Sequence, residues 1–158
     1  MALFRFAMLL ALVVWIGGII FFAFILAPTV FSVLPTRHLA GQVVNRSLHL
    51  LHWTGIVSGI VFLAASMSYS ATTLGSAHPA ALKHALVYLM IALTVISLFV
   101  VSAKMDALRT SMGIIDDVPP SDARRIEFNR LHHWSTRLEG AVLLLGLATL
   151  YLTARQLQ

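Results

Sequence analysis

Long apolar runs separated by short polar breaks set the pattern of this chain. Stretches free of Asp, Glu, Lys and Arg cover residues 6–36, 47–82, 84–103 and 140–154. A helix crosses a bilayer with about 20 apolar residues. The first three stretches meet that length unaided, whereas the fourth meets it only by taking in Glu139 or Arg137. Four spans are therefore expected, at about 6–28, 48–69, 84–104 and 134–154. Pro28 should kink the first helix, which runs from about Leu3 to Leu34 and ends at Pro35, because proline lacks an amide donor and crowds the preceding turn. The second helix starts near Thr36 or His38 and runs to about Thr73, before Gly75 and Pro79; the third continues past its span to Met112, before Gly113. Ser121 is placed to cap the fourth, with Asp122 near its positive end, and that helix reaches about Arg155. Short connections make this an all-α, integral membrane, up-down four-helix bundle, with helices extended beyond the membrane on one side. The whole of 1–158 is one transmembrane domain, and its first apolar segment is expected to be retained, being far longer than a signal core.

Composition supports that picture: 59% of residues are hydrophobic, 11% are charged and the mean hydropathy is +0.88, where soluble domains carry about 25% charged residues. There are no cysteines, which excludes disulfides and thiolate chemistry. The net charge of +5 has its explanation in membrane orientation, and nucleic acid is not an expected partner. Arg5, Lys83 and Arg155 fall on one side of the membrane; Arg37, Arg46, Lys104, Arg109, Arg124, Arg125, Arg130 and Arg137 fall on the other. Lys and Arg resist translocation, so both termini are expected outside, periplasmic in a bacterial inner membrane.

Tyr69, Tyr88 and Tyr151 lie towards the side with fewer cations. Counting from them across each span reaches Trp53, Lys104 and Trp134, roughly 24–26 Å away. These three, with His52 and His133, are expected at one depth. His52-Trp53-Thr54 and His133-Trp134-Ser135 also repeat at a constant offset of 81, with Gly59 falling on Gly140. The match suggests two related hairpins with the second and fourth helices parallel.

His49, His52, His132 and His133 thus gather at one end of those helices. One imidazole from each helix can ligate a haem b iron, or a smaller set can hold copper, with His52 and His133 as the metal pair and Lys104 set to neutralise a propionate. The plain alternative is that these are interfacial anchors with no cofactor, as His and Trp often are. Glu139 is the sharper anomaly. It lies five residues inside Trp134, roughly 7–8 Å deeper, and acids within spans usually face the bundle, paired and functional. Lys104, Arg46 or a histidine of the second helix are its candidate partners for pairing or proton transfer. Gly55 and Gly59 form a small-residue pair, suited to close packing within the chain or against a membrane partner or second copy. No catalytic set, phosphate loop or nucleotide motif is present.

Trp15-Ile16-Gly17-Gly18, Phe21-Phe22, Ala27-Pro28 and Phe31, together with Phe128-x-x-Leu131-His132-x-x-Ser135, resemble an uncharacterised family of small bacterial four-helix membrane proteins. That family is similar to the copper-resistance D-like membrane proteins and, more remotely, to the membrane haem-dependent protoporphyrinogen oxidases. The resemblance implies a four-helix bundle with copper-handling and haem-b-binding relatives, and only His132 and Ser135 carry over as a motif. The first span lacks the histidine expected of the oxidase group. The leading expectation is haem or metal binding for electron transfer or metal handling. Its rivals are a cofactor-free accessory subunit and a small transporter with a Glu/His polar path.

Overall fold

The computed structural model describes residues 1–156. Four helices long and apolar enough to cross a membrane make up almost all of them: α1 (Ala2–Val33), α2 (Arg37–Leu74), α3 (Leu82–Met112) and α4 (Ala123–Gln156). Pro28 does act on α1. Its ring crowds the carbonyl one turn back, and the helix widens into a π turn over Phe22–Leu26, where the Ala27 N–H reaches back to the Phe22 carbonyl. Leu34 is extended, as a residue before proline prefers, and α1 stops there. The Thr36 hydroxyl accepts from the Leu39 N–H at 3.2 Å and caps α2. Gly75 and Gly113, with φ of 72° and 67°, end α2 and α3 in a conformation that costs a β-carbon-bearing residue. A short 3₁₀ turn, Ile115–Asp117, leads towards α4. The cap of α4 is Asp122 rather than Ser121: its Oδ1 accepts from the Arg124 N–H at 2.8 Å.

Each helix packs on its chain neighbours and α1 closes the ring against α4, so α2 and α4 face each other across the diagonal. Side chains tie the ends in the same sense. Arg5 donates to the Tyr69 hydroxyl at 2.8 Å and Lys83 to the Gln156 side chain at 2.8 Å. At the other end the His38 N–H donates to Asp116 at 3.1 Å and Arg124 to the Ser111 carbonyl at 2.9 Å. This is the expected up-down bundle.

Burial is arranged for a lipid solvent. Leu10, Val13, Phe24, Val57, Ile60, Leu89, Phe99 and Leu144 point outwards, whereas Ser58, Ser66, Thr94, Ser97, Ser102, Ser135, Thr149 and Thr153 are buried. Hydrocarbon offers no hydrogen bonds, so hydroxyls gain from facing protein. Thr94, Thr149 and Thr153 each donate to the carbonyl four residues back.

The core is organised around Trp15, which is 2% exposed. A β-carbon on Gly55 would collide with its indole, and one on Gly59 would come within 2.8 Å of both the indole and Ile91. These glycines are therefore filled from within the chain. They are not the surface through which a partner or second copy packs, because α1 already occupies the notch they leave. Gly146 similarly seats Ile16, with a hypothetical β-carbon 2.9 Å away.

The helix register departs from the common depth expected from the tyrosines. Trp53 meets Phe99 edge to face, with ring centroids 6.1 Å apart, and Phe99 lies five residues deeper than Lys104, roughly 7–8 Å. Further along, His84 bonds Ser66 and Gly59 faces Ile91 in the same shifted register. The cause is Tyr69. It sits at the outer edge beside Lys83, held by Arg5, instead of level with Tyr88 and Tyr151. The residues of α2 consequently lie deeper relative to α3 and α4 than the count implied.

Two outcomes follow from this packing. Gly59→Val should destabilise the bundle by about 1–3 kcal/mol, the usual cost of overpacking a close interface, whereas Gly17→Ala, with open space at its β-position, should leave the midpoint of a denaturant titration unchanged. At the cap, the Arg124 guanidinium and then its backbone N–H lower the Asp122 carboxyl to about 2. A depressed folded value stabilises the cap fully above the ordinary carboxylate range, about pH 4, and loses that contribution as pH falls towards the lowered value. Protection of the first-turn amides of α4, taken relative to their unfolded exchange rates, should therefore hold down to about pH 4 and fall as pH drops through about 2.

Candidate functional site

The register shift carries His52 inwards to the level of Glu139. His52 is 1% exposed on α2, Glu139 is largely buried on α4, and their Nε2 and Oε1 atoms are 2.6 Å apart. The bond crosses the diagonal of the bundle, linking two helices that are not packing neighbours. Of the partners open to Glu139 from sequence, the helix-2 histidine is the one in contact.

The chemistry of this pair turns on where its protons sit. With one proton between the two atoms, Nε2–H donates to an ionised Glu139 and the pair carries a net negative charge. Adding a proton removes that charge, either on the Glu139 carboxyl or on Nδ1, which is buried and has no hydrogen-bond partner. A net charge in a dry interior and an unmatched buried donor are both costly. Neither state satisfies every group. The arrangement sets a carboxyl group and an imidazole in direct contact inside the bundle.

The other expected residues are placed apart from it. His133 and His132 are both exposed, their rings 6.3 Å from one another, and His133 precedes Glu139 by six residues, roughly 9 Å along the helix. His52 and His133 therefore do not form the expected metal pair: the shift of α2 removes them from a common depth, and His133 faces away from the interior. His49 lies one turn above His52, 3.3 Å from Asp106 on α3. Lys104 is exposed, with no hydrogen bond or ion pair among the described residues. Trp134 is exposed beneath Arg137, whose guanidinium carbon is 5.5 Å from the ring centroid, an arrangement suited to the membrane interface.

His52 and His133 are not placed as an axial pair for a haem. Two axial imidazoles would have to face one another across a slot, whereas the space between α2 and α4 contains the His52–Glu139 bond, and the adjoining notch holds Trp15. Nor, among the described residues, do three or more His, Asp or Glu side chains converge as a metal centre.

His84, at the start of the third span, is fully buried. Its Nδ1 is 2.9 Å from the His78 carbonyl, which only accepts, so Nδ1 carries the proton and Nε2 accepts from the Ser66 hydroxyl at 2.8 Å. Both ring nitrogens are satisfied, which marks this histidine as a tie between α3, α2 and the intervening loop. A second feature without a sequence signal is the π turn Ser97–Ser102, which buries Ser97, Leu98, Val101 and Ser102 together.

The family model for a domain of unknown function, DUF4149, matches residues 10–113. The chain belongs to the DUF4149 family. No curated protein and no solved structure matches it. The DUF4149 match takes in α1 from Leu10, all of α2 and all of α3, and so includes Trp15, the glycine notch and His52, while Glu139 lies beyond it.

A double-mutant cycle measures the central bond. Glu139→Leu should cost about 1–3 kcal/mol by leaving His52 without a partner. The combined His52→Phe, Glu139→Leu protein should be destabilised less than the sum of the single changes, read from unfolding midpoints in detergent.

Proposed function

We propose that this DUF4149 protein is a small transporter of the bacterial inner membrane that passes protons along a Glu/His polar path, with both termini periplasmic and the His52–Glu139 pair as its proton-carrying element. The hydrogen bond across the bundle diagonal carries this reading. It joins two titratable side chains inside a membrane span, where an ionisable group is a costly choice for packing alone. Hydroxyls extend the polar interior from there: Ser97, Ser102 and Ser135 on α3 and α4, then Thr94, Ser66 and Thr149 further along. The Ser97 hydroxyl is buried without a partner, and so offers a position where water or solute can bind. Clefts occur at both ends of the bundle, one beside His49 and Arg109 and the other beside Tyr69 and Lys83.

Protonation of the pair changes its charge and the demand at Nδ1, and it bridges helices that otherwise meet little. Loosening or tightening that bridge is a direct way for a proton to alter the packing of α2 against α4. The cation asymmetry across the membrane supports the orientation.

Proteoliposomes containing a pH-sensitive dye and driven by an imposed membrane potential test the reading. The wild-type protein should acidify the lumen faster than empty vesicles, and Glu139→Gln, folded by circular dichroism, should fall to the empty-vesicle rate. Full flux in Glu139→Gln removes the pair from the mechanism. No flux from folded wild-type protein favours the cofactor-free accessory subunit.

A further inference from the structure

The cation-rich end of the bundle holds a cleft of about 370 Å³ between α2 and α3. Gln42, Asn45, Arg46 and His49 line it from one face of α2, and Asp106, Arg109 and Thr110 line it from α3. We propose that this cleft binds a phosphate-type oxyanion through Arg46 and Arg109.

Arg109 is the main reason. Its guanidinium lies 5.5 Å over the Phe128 ring, and its Nε is buried with no hydrogen-bond partner. Among the described residues no carboxylate lies within ion-pair distance of it. An arginine cannot shed its charge to escape that situation. On the facing helix the His49 Nε2 is likewise buried without a hydrogen bond, its 3.3 Å approach to Asp106 being an ion-pair distance without hydrogen-bond alignment. Nitrogens without a hydrogen bond thus line the cleft from both helices. Asp106 lines the same cleft, its Oδ1 accepting from the Asn45 amide at 2.8 Å, but it stays beyond ion-pair distance of Arg109.

The chemistry of the lining selects the ligand class. Two guanidiniums against one carboxylate leave a single net positive charge, matching a singly charged phosphate ester. A planar carboxylate engages one guanidinium fork, whereas a tetrahedral anion can be met from both helices at once. The Gln42 amide, whose nitrogen bonds His38 at 2.9 Å, has a second N–H to offer, while the Thr110 hydroxyl donates to the Asp106 carbonyl at 2.9 Å. A cleft of this volume exceeds a bare phosphate, leaving room for an esterified group. Both a lipid headgroup and a free phosphate offer the required oxyanion. The site lies outside the His52–Glu139 pair, and its binding is measured without a flux assay, so it stands or falls independently of the transport reading.

Phosphorus NMR of the full chain in a phosphate-free, uncharged detergent provides the test, with inorganic phosphate and short-chain phosphatidylglycerol as separate probes. One or both should bind in saturable fashion, free phosphate identifying a soluble source and phosphatidylglycerol alone a lipid one. Arg109→Gln and Arg46→Gln should each weaken binding by about tenfold, as expected for losing a charge-assisted contact, while Arg37→Gln, an exposed cation outside the cleft, should leave it unchanged. Arg46 is exposed, so its variant carries the test should Arg109→Gln fail to fold. An equal loss in Arg37→Gln would mean diffuse charge attraction and overturn the site. So would absence of binding of either probe to folded wild-type protein.

Discussion

The seat of Trp15 in the notch left by Gly55 and Gly59 is the contact on which the rest of the bundle depends. In a bilayer there is no hydrophobic gain from bringing two apolar helices together, so association rests on close packing and on polar groups finding partners. A bulky indole against two missing side chains supplies that packing, and Ile91 of α3 closes over Gly59 from the other side. Three helices are thereby fixed in depth relative to one another. His52, one turn from Gly55 on α2, inherits its level from this arrangement.

Once that level is set, the polar interior becomes consistent. His52 meets Glu139 across the diagonal, and His84 meets Ser66 towards the other end. The two histidines are both almost wholly buried, yet they differ in kind. His84 has a partner for each ring nitrogen and acts as a structural tie, while His52 has one partner and one orphaned nitrogen. Full satisfaction makes a buried polar group rigid, and incomplete satisfaction leaves it sensitive to a proton or a bound water. That difference separates the candidate site from the scaffold more clearly than residue type does.

Charge is handled in a complementary way. Nearly all the charged side chains lie at the ends of the helices, where Arg5 holds Tyr69, Asp122 caps α4 and Arg124 ties α4 to the end of α3. Arg109 and Glu139 depart from this economy. One is a half-buried cation without an acid against it, the other a carboxylate inside a span, and both mark places where the chain accepts a cost that packing alone does not require.

The four long apolar helices and the all-α bundle could be read from sequence because each rests on local physics: runs long enough for a bilayer, and Pro35, Gly75 and Gly113 at helix ends. Glu139 was legible as an anomaly for the same reason, an acid within an otherwise apolar span. Its partner was not. The tyrosine count assumed that Tyr69, Tyr88 and Tyr151 share a plane, and the Arg5–Tyr69 bond moves one of them outwards. Equally, His133 carries the same His-Trp signature as His52, but helix rotation turns it away from the interior. Which histidine meets Glu139, and whether Gly55 and Gly59 face a partner or Trp15, depend on helix rotation and axial shift. Those two quantities are set by side-chain packing between segments far apart in the chain, and only the tertiary structure contains them.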